Sequence, residues 1–340
     1  MRAEGLGTYC LLTLIRKVAC AVENAAKKLE SNVTDCALVF EGGGYRAGYT
    51  AAMANVLLAN GIYFDYVCGV SAGASNTVDY LSRDQKRTRD AFASTDWVSG
   101  HVGLPSIAHG TGYFDADAIY EGAVVNGTFP FDWETFRANP AGFGLQAFDR
   151  DTGRTVRFGR DDATELMGLI DFVRASSTLP GMMRPKPIDG HVLYDGGLGQ
   201  GAGIGVCMAE AAGYEKFVFL ATREKGYRKT EPAPAEVAVI KRAAADYPYL
   251  RQALLTRWER YNAELDRVEG LAAEGRCLII YPDHMPVSST TVSPAKLEAS
   301  YQMGWQQAVR DLPRVREFVF GDRDAGPHGP NGWDGYITIG

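Results

Sequence analysis

A serine stands between two glycines in this sequence, in a G-x-S-x-G pattern at residues 69–73 with Ser71 at its centre. A short apolar segment precedes the pattern, and a helix-forming segment, residues 72–81, follows it. A serine at such a strand-to-helix turn projects its hydroxyl outward, and Gly69 and Gly73 let the backbone turn sharply. The N-terminus of the helix offers free N–H groups to a developing oxyanion. We therefore predict that Ser71 is the nucleophile of an acyl-transfer reaction.

Three consecutive glycines, Gly42, Gly43 and Gly44, follow an apolar run at residues 36–40. Glycines in a row allow neighbouring N–H groups to point into one concavity, as either an oxyanion hole or a phosphate cradle requires. Ligands of open α/β sheets bind at the carboxyl ends of the strands. Because the glycines and Ser71 both follow predicted strands, we expect them at one edge of the same sheet.

The same glycines also fit the G-x-G-x-x-A pattern of dinucleotide-binding proteins, with Asp65 near the spacing of the ribose-binding acid. Two observations argue against NAD. Asp65 precedes the second predicted strand, whereas the acid of that motif lies at the carboxyl end of its strand. The second strand ends instead at Ser71. We therefore predict a site that needs no cofactor and no metal.

A candidate base, Asp195, follows a short predicted strand at residues 192–194 and precedes Gly196 and Gly197. A serine nucleophile needs a base to accept its proton. An aspartate at a strand end can serve directly when glycines beside it permit a close approach. This arrangement favours Asp195 as the base.

Three other residues compete with Asp195 for the role of base. Asp189 precedes a glycine in the same region and is the weaker aspartate candidate. Histidine is the more common base, and the chain order Ser, Asp, His of a conventional esterase is met by His284 or by His328. The sequence pattern by itself leaves this esterase open.

Taken in order, G-G-G-x-R, G-x-S-x-G and D-G-G resemble the motifs of the patatin-like phospholipases, in particular those of the bacterial branch. Residues 175–180 resemble the family's A-S-x-x-x-P stretch, and residues 222–229 are similar to a segment of the bacterial members. The likeness spans residues 37–229. It implies a three-layer α/β/α fold and a lipid acyl hydrolase of phospholipase A or lysophospholipase type.

By this resemblance, Ser71 and Asp195 form a catalytic dyad that works through an acyl-enzyme intermediate. The resemblance assigns the oxyanion hole to Gly42, Gly43 and Gly44. It gives supporting roles to four further residues, namely Arg46, Gly69, Gly73 and Gly196.

The sequence departs from the family pattern at two places. Ala47 stands where the family usually has glycine, which leaves the turn less permissive unless Gly48 compensates. The loop after the D-G-G motif, residues 198–201, lacks the acidic and proline residues often found there. These departures leave open a non-catalytic relative that binds lipid or a partner.

Apolar runs and turn residues predict the remaining elements. We expect strands at 36–40, 66–70, 145–149, 155–158, 192–194, 216–221 and 276–281. Helices are expected at 47–60 and 72–81, after residue 161, over 235–268 and over 294–315, whereas 100–113 reads as irregular. Strands that alternate with helices at this spacing indicate a three-layer α/β/α patatin-like sandwich with a mostly parallel sheet and C-terminal helical additions.

The predicted organisation has four parts. Residues 1–35 form an N-terminal amphipathic helix, and residues 36–229 form the patatin-like catalytic core. Residues 230–320 add helices and a strand packed on that core. Residues 321–340 form a tail rich in glycine and proline.

Composition excludes some classes of partner. A net charge of −6 at pH 7 provides no basic field for nucleic acid. The six cysteines form no metal-ligand or C-x-x-C spacing, which favours reduced thiols and a cytoplasmic location. No apolar run is long enough to cross a membrane. The predicted partner is a lipid or another acyl ester, and transient contact with a membrane surface stays open.

Overall fold

In the computed structural model, residues 29–94, 96–98 and 100–321 are described. The predicted N-terminal helix falls largely outside these ranges, and the predicted tail falls outside them after residue 321. Within the described residues, eight strands form one sheet, in the order β5-β6-β3-β2-β1-β7-β8, and β4 pairs with β3. The strands are β1 (Ala37–Phe40), β2 (Tyr66–Val70), β3 (Gly142–Asp149), β4 (Thr155–Phe158), β5 (Pro187–Ile188), β6 (His191–Asp195), β7 (Phe217–Leu220) and β8 (Cys277–Ile280).

The centre of the sheet is parallel. β1 pairs in parallel with β2 and β7, β2 pairs in parallel with β3, and β7 with β8. The largely apolar sequences of β1, β2, β7 and β8 fit a parallel sheet whose two faces are both covered by helices. β4, β5 and β6 form the antiparallel side of the sheet.

Twelve α-helices connect and cover these strands in the described part of the chain, and a π-helix at Asp117–Gly122 runs directly into the fifth. They are α1 (Ala47–Ala59), α2 (Ala72–Leu81), α3 (Gln85–Ala93), α4 (Leu104–Ala108), α5 (Ala123–Val125), α6 (Trp133–Ala138), α7 (Leu166–Ser177), α8 (Val206–Ala211), α9 (Pro234–Ala243), α10 (Pro248–Leu255), α11 (Arg257–Ala273) and α12 (Pro294–Phe320).

Alternate side chains of each central strand pack into two separate cores. Leu38 and Phe40 of β1 belong to a core completed by α1, α2, α7 and α12. Ala37 and Val39 face the opposite layer, where α8 and α11 pack. This period of two residues produces the three layers. The predicted fold class is thereby confirmed.

β3 aligns the ends of two other strands. Val70, the last residue of β2, pairs with Gln146, and Asp195, the last residue of β6, pairs with Ala147. The opposite edge of β3 is occupied by β4 in this region, so β2 and β6 share one edge and run toward each other. The residue after β2 and the last residue of β6 therefore meet at adjacent positions along β3.

The region predicted as helical over 235–268 is interrupted. It comprises α9, α10 and the first part of α11. The break before α10 occurs at Tyr247, which has an extended φ of −123° and ψ of 79°. Proline restricts the residue before it to non-helical conformations, and Pro248 follows here. Residues 85–138, by contrast, contain four short helices that the sequence analysis did not predict.

The C-terminal elements adjoin the core. β8 extends the central sheet beside β7, and α12 packs against α1. None of the described helices is both long and apolar enough to span a bilayer. The four-part division of the chain stays a prediction.

Candidate active site

Ser71 lies in a strained turn between β2 and α2. Its backbone has φ 58° and ψ −128°, a conformation that residues with a side chain rarely adopt and that costs about 1–3 kcal/mol. The Ser71 N–H donates a hydrogen bond of 2.9 Å to Ser176 Oγ, which helps to hold this conformation. The turn presents the Ser71 hydroxyl at the carboxyl edge of the sheet.

The two glycines of the G-x-S-x-G pattern are required by close backbone packing. A Cβ at Gly69 would overlap the Gly73 carbonyl and lie 2.7 Å from Thr77 Oγ1. A Cβ at Gly73 would lie 2.5 Å from the Phe40 carbonyl oxygen. The pattern thus brings α2 against β1 and β2 closely enough to leave no room for a side chain.

Asp195 lies within hydrogen-bond distance of Ser71. Ser71 Oγ donates to Asp195 Oδ2 at 2.6 Å, and the Gly197 N–H donates to Oδ1 at 2.7 Å. The Asp195 N–H donates to the Thr178 carbonyl at 2.8 Å, so the backbone of the residue is also fixed. Hydrogen bonds to both carboxylate oxygens therefore fix the orientation of the Asp195 side chain.

Burial governs the electrostatics of Asp195, which is only 3% exposed. Loss of hydration raises the pKa of its carboxyl group above the ordinary value. The positive charge of Arg257 opposes this shift most strongly, followed by the hydrogen bond from Ser71. A carboxylate with a raised pKa is a stronger base than an ordinary aspartate.

A buried glutamine holds the loop that follows Asp195. Gln146 Nε2 donates to the carbonyl oxygens of Gly196 and Gln200, at 2.9 and 2.8 Å. A Cβ at Gly196 would overlap the Gln146 carbonyl, so this glycine is required sterically. The loop returns to the glycine turn, where the Gly203 carbonyl accepts a hydrogen bond of 3.0 Å from the Gly42 N–H.

The resemblance assigns the Gly42 N–H to the oxyanion hole. In the structure, however, this N–H already donates a hydrogen bond to the Gly203 carbonyl. No hydrogen bond from the N–H of Gly43 or Gly44 occurs within the described residues, so these two donors are available. Gly42 has a steric role instead, since a Cβ there would lie 3.2 Å from Ser71 Cβ. Gly44 has φ +55°, which suits glycine.

The departure from the family pattern at Ala47 has no conformational cost. Ala47 has φ −65° and ψ −12°, which is ordinary right-handed helical backbone. Any residue adopts these angles, so glycine is not required for the turn. Gly48 packs against the Phe92 side chain, where a Cβ would lie 3.1 Å from that of Phe92.

A cavity of about 260 Å³ opens at the dyad and has two chemically different walls. The apolar wall includes Val78, Phe92, Phe114, Phe129, Ile170 and Val173. The cationic wall consists of Arg46, Arg223, Lys229 and Arg257. Ser71 and Asp195 also line this cavity.

One buried carboxylate supports the cationic wall. Glu41 Oε1 accepts a hydrogen bond of 2.6 Å from the Tyr261 hydroxyl. Its Oε2 accepts from the N–H and the Oγ1 of Thr222, at 2.6 and 3.1 Å. Glu41 is only 2% exposed, and these three bonds use both of its oxygens. It therefore ties β1, β7 and α11 together.

The competing residues lie elsewhere. Asp189 is exposed in the turn between β5 and β6, at the far end of β6 from Asp195. Asp65 precedes β2 and so lies at the amino edge of the sheet, away from the glycine turn. His284 is two-thirds exposed and contacts Glu224, and His328 lies outside the described residues. None of the described histidines lines the cavity.

Several residues of the site were not identified from the sequence. Gln146, Ser176, Glu41 and Arg257 act through contacts that are distant along the chain. A signal existed for Ser176, which lies in the A-S-x-x-x-P stretch. No comparable signal marks Arg257 within the helical segment that contains it.

The family model of the patatin-like phospholipases matches residues 38–208, which is half of the chain. The chain belongs to this family, as its motifs predicted, and is therefore a lipid acyl hydrolase in general terms. Residues 247–320 match a second model, a domain of unknown function called DUF6363.

Among solved structures, the crystal structure of VipD from Legionella pneumophila is similar, with 12% identity and a TM-score of 0.48. The match covers 82% of this chain and 67% of that one. No curated protein sequence matches the chain.

Proposed function

We propose that the protein is a serine acyl-ester hydrolase of phospholipase A or lysophospholipase type, with Ser71 as nucleophile and Asp195 as base. The observation that supports this most strongly is the 2.6 Å hydrogen bond from Ser71 Oγ to Asp195 Oδ2, within a cavity. The strained backbone of Ser71 and the raised pKa of Asp195 add support, because both are features of catalytic groups.

In the proposed reaction, Ser71 Oγ attacks the carbonyl carbon of the ester while its proton passes to Asp195. The N–H groups of Gly43 and Gly44 stabilise the tetrahedral oxyanion, and losing one such donor costs about 3 kcal/mol of barrier. The alcohol departs with the proton from Asp195, which leaves an acyl group on Ser71. Water then attacks this ester, again giving its proton to Asp195. The fatty acid leaves, and the proton returns to Ser71.

The apolar wall provides the natural site for the acyl chain. Its residues come from α2, α3 and α7 and from residues 114–129. The six side chains named above are aliphatic or aromatic, and each of them is at most 8% exposed. Transfer of a chain from water to such a surface is favourable by about 0.8 kcal/mol per methylene. This preference supports a lipid rather than a short-chain ester.

The two alternatives receive less support. A conventional Ser-His-Asp esterase needs a histidine beside Ser71, and the described histidines lie away from the cavity. A non-catalytic relative was motivated partly by Ala47, whose ordinary helical backbone removes that reason.

We also propose a cytoplasmic location with transient membrane contact. The four described cysteines are free and buried, which fits a reducing compartment. A membrane surface would meet Leu104 and Ile107 of α4, whose side chains are 81% and 52% exposed.

Turnover of a p-nitrophenyl acyl ester tests the dyad. We expect both Ser71→Ala and Asp195→Asn to lower kcat by at least a thousandfold, as for other nucleophile–base pairs. His284→Ala and His328→Ala serve as matched controls and are expected to retain wild-type rates. Wild-type turnover in both dyad variants, or its loss in either histidine variant, would contradict the proposal.

A further inference from the structure

The cationic wall carries more positive charge than its surroundings neutralise. Arg46, Arg223, Lys229 and Arg257 come from three separate parts of the chain and converge on the cavity that contains Ser71. None of the four forms a salt bridge with a carboxylate in the described part of the chain. The chain as a whole has a net charge of −6, so this concentration of cations is a local feature.

The carboxylates nearest to the cationic wall are committed to other groups. Glu41 accepts hydrogen bonds from Tyr261 and Thr222, and Asp195 accepts from Ser71 and the Gly197 N–H. When all four cations are protonated, four positive charges against these two carboxylates leave a surplus of two. Arg46 is buried, and the other three cations are partly buried. Unpaired charge held away from water is expensive, so the surplus favours a bound anion.

The two arginine side chains Arg46 and Arg223 are held in place, but the protein uses only part of their hydrogen-bond donors. Arg46 is only 7% exposed, and its Nε has no hydrogen-bond partner in the described structure. Arg223 Nε is likewise buried without a partner, and its guanidinium stacks 4.1 Å from the centre of the Tyr227 ring. Both guanidinium groups therefore keep hydrogen-bonding capacity that the protein itself does not use.

Neighbouring groups also fix the positions of Lys229 and Arg257. The Lys229 ammonium lies 4.4 Å from the centre of the Tyr261 ring, and its backbone N–H donates to Asn262 Oδ1 at 2.8 Å. Arg257 Nε donates to the Gly197 carbonyl at 2.9 Å, which places its guanidinium beside the loop that follows the base. Arg257 therefore joins the cationic wall to the dyad.

The electrostatics of the cationic wall favour binding of an anion. Burial lowers the pKa of Lys229 to about 7, and the nearby charges of Arg257, Arg223 and Arg46 act in the same direction, opposed by Glu41. Burial and Arg223 likewise lower the pKa of Arg46 to about 10. A bound anion would reverse these shifts by stabilising the charged form of each side chain.

We infer that the cationic wall binds a phosphate monoester carried by the alcohol part of the acyl-ester substrate. This inference rests on the proposed esterase function and specifies its substrate. The surplus of two positive charges matches a dianion, and the guanidinium groups present paired donors that fit phosphate oxygens. The apolar wall then takes the acyl chain, and the ester carbonyl lies between the two at Ser71.

Three soluble esters with one acyl chain test this specificity: octanoylglycerol phosphate, octanoylglycerol phosphocholine and octanoylglycerol. We expect kcat/KM to be highest for the phosphate monoester and lowest for the uncharged ester, with at least a tenfold span, because hydrogen bonds to charged groups are the stronger ones. Equal or reversed values would overturn the inference. If none of these esters and no p-nitrophenyl ester is hydrolysed, it is the proposed function that fails.

Charge-removing variants identify the residues responsible. Lys229→Met and Arg223→Met should each lower the ratio of kcat/KM for phosphate monoester over uncharged ester by about ten- to a hundredfold. Turnover of the uncharged ester in the same preparation reports that each variant is folded. Lys225→Met, an exposed lysine of the same segment, is the matched control and should leave the ratio unchanged. An unchanged ratio in both cavity variants would contradict the inference.

Inorganic phosphate distinguishes a head group from a free anion. We expect it to inhibit hydrolysis competitively and more weakly in Lys229→Met, while the preference for the phosphate monoester persists. Inhibition by phosphate without any preference among the three esters would show a site for the free anion only, and the substrate assignment would be wrong.

Discussion

The apolar wall of the cavity and the part of the cationic wall that contains Arg257 come from opposite layers of the protein, whereas Arg46 directly precedes α1. Val78 of α2 and Val173 of α7 belong to the apolar wall, and both pack in the core on one face of the sheet. Arg257 belongs to α11, which covers the other face. Ser71 lies at the sheet edge where the two layers meet. In the proposed reaction, most of the groups that select the acyl chain and those that select the alcohol therefore come from separate elements.

The walls also differ in what stabilises them. The apolar wall is stabilised by the burial of its own side chains, which is favourable even without a ligand. In the cationic wall, burial and, after it, the neighbouring positive charges lower the pKa of Lys229 and of Arg46. Its order depends on the hydrogen bonds of Glu41 and on stacking against tyrosine rings. We therefore predict that the preference for the acyl chain and the preference for the alcohol part of the substrate can be altered independently.

Filling the apolar wall should change the chain-length preference. Ala91 of α3 lines the cavity and is only partly buried, so Ala91→Phe adds a ring without disturbing the main core. We expect kcat/KM for a dodecanoyl p-nitrophenyl ester to fall about ten- to a hundredfold relative to the butanoyl ester, the scale of one or two lost methylene contacts. Steady-state kinetics on the two esters measure this ratio.

Ala238→Phe is the matched control, because Ala238 is exposed on α9. Its ratio should equal that of the wild type. If both variants shift the ratio equally, or if Ala91→Phe leaves it unchanged, the acyl chain does not bind along the apolar wall.

Removing Arg257 should have a smaller effect than filling the apolar wall, and we expect it in the pH dependence of kcat/KM. In the proposed mechanism, Asp195 must be deprotonated to accept the Ser71 proton, so we expect activity to fall as the pH drops through its pKa. Burial raises that pKa and Arg257 lowers it, so Arg257→Met should raise it further. The acidic limb of kcat/KM, measured with an uncharged ester, is expected to move to higher pH.

Arg267→Met tests whether any arginine of α11 has this effect. Arg267 lies on the same helix but pairs with Glu264 and Glu210 at the surface. The acidic limb should stay in place in this variant. A limb that moves to lower pH in Arg257→Met would contradict the assignment of Asp195 as the base.

The two residues of the proposed dyad could be singled out from the sequence, whereas most of the residues that contact them could not. The glycines beside Ser71 and Asp195 leave a local signal, because a sharp turn constrains the residue types at neighbouring positions. Strands such as β1 and β2 also leave a local signal, because each is a short apolar run in the sequence. Ser176 and Gln146, in contrast, act across more than a hundred and about fifty residues of sequence, and only the fold reveals those contacts.

The cationic wall illustrates the same limit. Lys229 lies in a segment that resembles the bacterial members of the family, so part of the wall had a signal. Arg257 lies in a segment with many charged residues, most of which are solvated. Its contact with the Gly197 carbonyl follows from the packing of α11 on the sheet, which no local pattern encodes. The interruption of the helical region at Pro248 was missed although proline is a known helix breaker.

The most direct test of the dyad is covalent labelling with a fluorophosphonate, which reacts with an activated serine hydroxyl. We predict one label per chain, located at Ser71 by peptide mass spectrometry, and none in Ser71→Ala. Labelling should slow strongly in Asp195→Asn, because the hydroxyl then lacks its base. A label on another serine, or an equal rate in Asp195→Asn, would contradict the proposed mechanism.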